Sequence, residues 1–159
     1  MDRSSGAVRW LAWLSPEAFG RWQDVRLDIL VLYDPSPPPA DDGQNGENNG
    51  NGGAGHTEKQ LAALLTSLSK TNYLGDDVRL TVAVSAGSRV PDSVSKLEWQ
   101  HGPKRVRGEL SSNALAPLAL RSWVPQDSNN YVLVLEANSV VSEFFYSWLK
   151  VAVLETNYA

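Results

Sequence analysis

The chain contains no cysteine in its 159 residues. A disulfide framework and a thiolate metal site are both excluded on that ground. Histidine is nearly as scarce: His56 and His101 are the only two, and a zinc site lacks its usual ligand set. No apolar run reaches the length of a membrane span. Trp10-Leu11-Ala12-Trp13-Leu14 is too short for a signal-peptide core, and Pro16 and Glu17 interrupt it. A soluble chain, cytoplasmic by default, is the expectation. A basic excess is missing too. The net charge of −4 argues against nucleic acid, which needs a concentrated basic face.

What is present suffices for one globular domain. Hydrophobic content of 42% with 20% charged residues is a folded balance, and a chain of this length can bury its own core. The organising stretch is 130–150. Residues 131–135 form an almost wholly apolar run after Asp127, Ser128, Asn129 and Asn130, which predicts a strand buried on both faces of a parallel sheet. Glu136, Ala137, Asn138 and Ser139 stand at its carboxyl end. A helix is predicted from Ser142 as N-cap, with Glu143 in its first turn. Phe145, Trp148, Leu149 and Ala152 follow at helical spacing as its apolar face.

The remaining elements alternate. Residues 1–26 read as an N-terminal helical segment, with Ala7, Trp10, Leu11 and Leu14 in one stripe. That stripe is either a lid on the sheet or a partner-binding helix. Ser15, Pro16 and Glu17 then make an N-cap, a first-turn proline and a first-turn acid. Residues 27–159 make the α/β domain. Strands are predicted at 27–33, 78–84 and 104–110, and helices at 57–72 and 112–123, with Pro117 tolerable near the first turn. Thr57 and Gln60 have the spacing of a capping box. Within this domain 35–56 is an insertion predicted to be disordered. Six of the twelve glycines fall between Gly43 and Gly55 among four asparagines, and such a composition buries too little apolar area to offset chain entropy.

Strands alternating with helices predict a mostly parallel, Rossmann-like sheet with flanking helices. The doubly wound order 3-2-1-4 sets the strand ending at Tyr33 beside the one ending at Leu135. The cleft between those ends is the expected ligand site, with Glu136 and Asn138 on one wall and Tyr33 and Asp34 on the other.

Residues 61–75, the segment Trp99-Gln100-His101-Gly102, the segment Ser122-Trp123-Val124-Pro125 and residues 131–149 occur in an order that resembles the glycosyltransferase family 2-like proteins of the GT-A fold. The last block carries the likeness best, through Leu135-Glu136, Val141-Ser142 and Phe145-Tyr146-Ser147-Trp148-Leu149-Lys150. The resemblance covers most of 57–158 and implies a truncated GT-A domain. Such enzymes transfer a sugar from a nucleotide donor, with Mn²⁺ or Mg²⁺ neutralising the leaving diphosphate. It implies nucleotide contacts at Tyr33, Asp34 and Glu136, and a weak metal site at Glu136 and Asn138. The family's acidic pair is replaced here by Ala137 and Asn138, its next acid by Val140, and its glycine pair by Asn113 and Ala114. Ser85 and Ala86 stand where an acid for the nucleoside is common. No cofactor is therefore expected for this chain alone.

Three readings stay open on the sequence. One is a degenerate nucleotide-sugar-binding domain without catalysis. Another is a metal-dependent transferase completed by another chain or a missing segment. The third is an interaction module that meets a protein partner through the aromatics of 144–148. Lys104, Arg105 and Arg107 are either a diphosphate clamp or a solvated strand edge, where such charges also block edge pairing. His101, in His-Gly-Pro, reads as a turn residue. Glu136 is either a ligand group or a strand-end carboxylate held by nearby backbone N–H groups.

Overall fold

In the computed structural model residues 14–35, 53–110 and 114–158 are described. The elements in order are α1 (Pro16–Gly20), β1 (Arg26–Tyr33), α2 (Gly53–Ser69), β2 (Leu80–Ser85), α3 (Asp92–Ser95), β3 (Lys104–Leu110), α4 (Leu115–Ser122), β4 (Asn130–Glu136) and α5 (Phe145–Tyr158). The four strands form one sheet in the order β3-β2-β1-β4, and every pairing in it is parallel. This is an α/β fold with the strand order the sequence predicted. Leu27 lies opposite Tyr131 and Leu32 opposite Glu136, so β1 and β4 end side by side.

Successive residues of β1 serve opposite sheet faces. Ile29 and Val31 join the larger core with Leu61, Leu64, Leu68, Leu80, Val82 and Leu154, which seats α2 and α5 on that face. Leu30 joins Ala83, Leu115 and Ala119 under α4. The cover on this second face is thin, because α4 has only two turns to offer.

Local chemistry sets several boundaries. Ser15 caps α1 as expected, its Oγ accepting from the Ala18 N–H at 3.1 Å, while its own N–H donates to Glu155 Oε1 at 3.1 Å. That second bond ties the start of the described chain to α5. Residues 1–13, and with them most of the predicted amphipathic stripe, lie outside the described residues. So do residues 36–52, the bulk of the predicted insertion. Its last part is not irregular: Gly53–His56 form the first turn of α2. Thr57 is thus inside the helix and does not cap it. Once a helix is nucleated, each further residue adds a bond, and elongation can carry glycines that cost about 1 kcal/mol each. Pro117 falls in the first turn of α4, where its missing N–H has no intrahelical partner to lose.

The end of the chain differs most from the sequence reading. α5 begins at Phe145, three residues past the expected cap, after a turn in which the Phe145 N–H donates to the Ser142 carbonyl at 3.2 Å. Its buried side is Tyr146, Ser147, Lys150 and Leu154, while Trp148 is 55% exposed. Of the predicted stripe, Phe145 and Leu149 pack partly buried against the core, while Trp148 turns out of it. Polar bonds fix the buried side. The Tyr146 hydroxyl donates to Asp76 Oδ2 at 2.7 Å, and the buried Lys150 ammonium bonds the same oxygen. Lys150 also lies 4.6 Å from the Trp22 ring centroid. Burial depresses the Lys150 pKa, and the Asp76 carboxylate opposes that shift.

Candidate functional site

Beyond the carboxyl ends of β1 and β4 lies an open cleft of about 480 Å³, whose walls include Asp34, Thr57, Gln60, Pro117, Glu136 and Asn138. The backbone builds it directly. Ala137 N–H donates to the Leu32 carbonyl at 3.0 Å, and Ser139 N–H to the Glu136 carbonyl at 3.0 Å. The tight turn leaves Glu136 and Asn138 exposed while Ala137 is buried. Across the cleft, Asp34 Oδ1 accepts from the buried Ser85 Oγ at 3.1 Å, and Ser85 Oγ meets Ser88 Oγ at 2.9 Å. Three of the four expected site residues, Asp34, Glu136 and Asn138, line this one space.

Tyr33 does not. As its neighbour Asp34 faces the cleft, strand alternation turns Tyr33 to the opposite side, where it belongs to the larger core. It lines a second cavity of about 690 Å³ at the ends of β1 and β2, with Glu58, Gly87, Ser88, Arg89 and Asp92. Burial raises the Tyr33 pKa first, and the Glu58 charge second. Gly87 permits the approach with φ of 76°, a left-handed turn that glycine takes without strain. Asp92 is held by Lys96 at 2.9 Å and by Arg89 at 3.4 Å, and the Lys96 bond leads the causes that lower its carboxyl pKa.

The sequence reading missed Thr57, Gln60, Glu58 and Arg89. The first three stand near the start of α2, beside the sheet's carboxyl edge, and only the late placement of that helix start hid them. Ser85 was visible at a strand end, but its contact with Asp34 spans 51 positions.

Other candidates resolve into structure. The Lys104 ammonium donates to the carbonyls of Val94 at 3.0 Å and Leu97 at 2.6 Å, closing the end of α3 and not serving a diphosphate. Arg105 and Arg107 stay exposed on β3, an edge strand of the sheet. His101 is a turn residue. Its carbonyl accepts from the Val78 N–H at 2.6 Å, and its ring lies 4.5 Å from that of Tyr73. Glu136 keeps its carboxylate exposed at the rim, and the backbone bond at this turn goes to its carbonyl oxygen.

A held Mg²⁺ or Mn²⁺ wants near-octahedral oxygen coordination, commonly from carboxylates together with phosphate. The cleft offers Glu136, an Asp34 already engaged by Ser85, and the neutral amide of Asn138. Among the described residues no group of three or more His, Asp or Glu side chains could hold a metal ion. This donor set does not fit such a cation. Nor, among the described residues, is any helix long and apolar enough to cross a membrane.

The fold and cleft define a parallel α/β domain with a polar opening at the strand ends. Residues 59–159 match the family described as the SPBC1E8.03c C-terminal domain, and the chain belongs to that family. No curated protein and no solved structure matches it.

Proposed function

We propose that this chain is a glycosyltransferase-like nucleotide-sugar-binding domain of GT-A type that carries out no sugar transfer on its own. The observation that carries the reading is the meeting of Asp34, Glu136 and Asn138 in one cleft. Open α/β sheets take ligands at the carboxyl ends of their strands, where the strand order reverses. Here the order reverses between β1 and β4. The adjoining cavity at Tyr33, Glu58 and Arg89 gives room for a nucleoside next to a sugar. The order of the matched segments in the sequence points the same way.

The donor set argues for weak, metal-insensitive binding. Without a cation, Asp34 and Glu136 face the diphosphate as like charges. Calorimetric titration with nucleoside diphosphates, with and without Mn²⁺, tests this. Millimolar binding that ignores the metal is the expected result, and Glu136→Gln should tighten it a few-fold by removing repulsion. Tight binding that needs Mn²⁺ and is lost in Glu136→Gln would overturn the reading and favour a working transferase.

A second reading rests on the surface. Trp148 is 55% and Val140 70% exposed, an apolar display suited to a protein partner. It predicts concentration-dependent association in sedimentation that Trp148→Ser abolishes. Monodisperse behaviour at high concentration would count against self-association through this surface.

A further inference from the structure

Arg79, Arg105 and Arg107 line one hollow of about 100 Å³, with Thr81, Trp123 and Val124 around them. Strand β3 and the segment entering β2 bring them together. Arg105 pairs with Thr81 and Arg107 with Ala83 across β3 and β2. Residues two apart on a strand share a face with Cα atoms about 7 Å apart, so Arg105 and Arg107 stand side by side on the face that α4 covers. Arg79 leads into β2 two positions before Thr81 and joins them there. The hollow lies away from the cleft, toward the opposite ends of the strands.

No carboxylate lines it. Asp28 is 3.7 Å from Arg79, but its Oδ2 already accepts from Trp123 Nε1 at 2.8 Å and from Asn130 at 3.4 Å. Arg105 and Arg107 form no ion pair among the described side chains. Like charges on neighbouring positions of a sheet are destabilising. Guarding an edge strand explains charges on β3. Arg79, on the approach to the inner strand β2 and only 16% exposed, is held beside them by its 3.7 Å ion pair with Asp28.

We propose that this hollow is a phosphoryl-binding site that takes a phosphate monoester dianion. Against the one carboxylate nearby, Asp28 on Arg79, three guanidinium forks leave donors and positive charge in excess. A phosphate monoester brings three acceptor oxygens and a charge of about −1.5 to −2. The preference for arginine over lysine matches bidentate oxyanion recognition.

The test is titration of the full chain with inorganic phosphate, with a phosphoserine peptide and with its unphosphorylated form. Ionic strength is held constant with chloride. Saturable binding of the phosphate-bearing probes is expected, weakened roughly tenfold in Arg105→Gln and again in Arg107→Gln. Both arginines are exposed, so the variants should keep the parent melting temperature. Arg105→Lys should recover only part of the affinity, because a lysine cannot fork. Equal affinity for the two phosphate probes makes the phosphoryl group the whole ligand. Tighter binding of the phosphopeptide places its source on a partner protein, and either result upholds the site. Absence of saturable binding overturns it, as does binding untouched by the double substitution. An unphosphorylated peptide that binds equally well overturns it too. The cleft's nucleotide titration reads separate residues, so either proposal can fail alone.

Discussion

Lys150 and Asp76 form an ion pair out of reach of solvent, with side-chain exposures of 1% and 8%. The pair joins the last helix to the turn before β2, and Tyr146 shares the same carboxylate oxygen. Its two halves are 74 residues apart, so it holds the two ends of the domain core in one register.

Removing one partner should be costly. Asp76→Asn leaves a buried ammonium without its counter-charge and should lower stability by about 3–5 kcal/mol. Pairing it with Lys150→Met should recover a large part of the loss. Urea unfolding midpoints of the single and double variants measure both effects. A single-variant loss under about 1 kcal/mol would mean that the pair is solvated.

Alkaline pH should destabilise the fold. Burial raises the hydroxyl pKa of Tyr146 above the ordinary 10.0, and Asp76 adds to the shift. Tyr73 is raised as well, again by burial first. Groups with raised native pKa contribute stability that is complete below the unfolded value and is lost as pH climbs toward the native one. The window therefore opens near pH 10. Lys150, with its lowered value, acts in the opposite sense, relieving a penalty as pH rises, but it is one amine against two phenols. Melting temperature should fall steeply above pH 10, and less steeply in Tyr73→Phe.

Gly102 should resist substitution. Its φ is 140°, and an added Cβ would stand 2.2 Å from Asp77 Oδ1 and 2.7 Å from the Val78 carbonyl oxygen. The aspartate can swing away, but the backbone oxygen cannot move without disturbing the approach to β2. Gly102→Ala should cost about 1–3 kcal/mol, read as a drop in melting temperature.

Two substitutions at the cleft should behave differently. Asn138→Asp adds a third carboxylate to an exposed position and should bring Mn²⁺-dependent nucleotide binding with little change in stability. Ala137→Asp puts a charge where the native side chain is 5% exposed and should destabilise without creating a site. Calorimetry beside thermal melts separates the two. Equal metal dependence in both variants would contradict this geometry.

The parallel sheet was legible because β1 and β4 are short apolar runs. β1 is buried on both faces, as such a run predicts, while β4, expected to be so too, is an edge strand and only half-buried. Their order followed from alternation with helices. Asp34, Glu136 and Asn138 were legible for the same reason, since strand ends mark where side chains reach solvent. Tyr33 was misplaced beside Asp34 although period-two alternation alone separates them. The face of α5 was legible in part. Its hydrophobic spacing selected Phe145 and Leu149, which pack on the core, but also Trp148, which does not. It left out Tyr146 and Lys150, buried on one distant aspartate. Nothing local to residues 145–152 announces Asp76. The start of α2 was hidden because glycine content argues for loop while helix cooperativity, a property of the following residues, decides otherwise.

The uneven cover of the sheet has a kinetic consequence. α4 rests on Leu30 and Ala83 through Leu115 and Ala119, far less than what secures α2. Elements with few buried contacts open in local excursions well below the global unfolding free energy. The backbone amides of 115–122 should therefore exchange with deuterium sooner than those of 61–68. Leu115 and Pro117 also wall the cleft, so that wall is a breathing one. A molecule seated there would first announce itself as slowed exchange in α4, before any change in the strands.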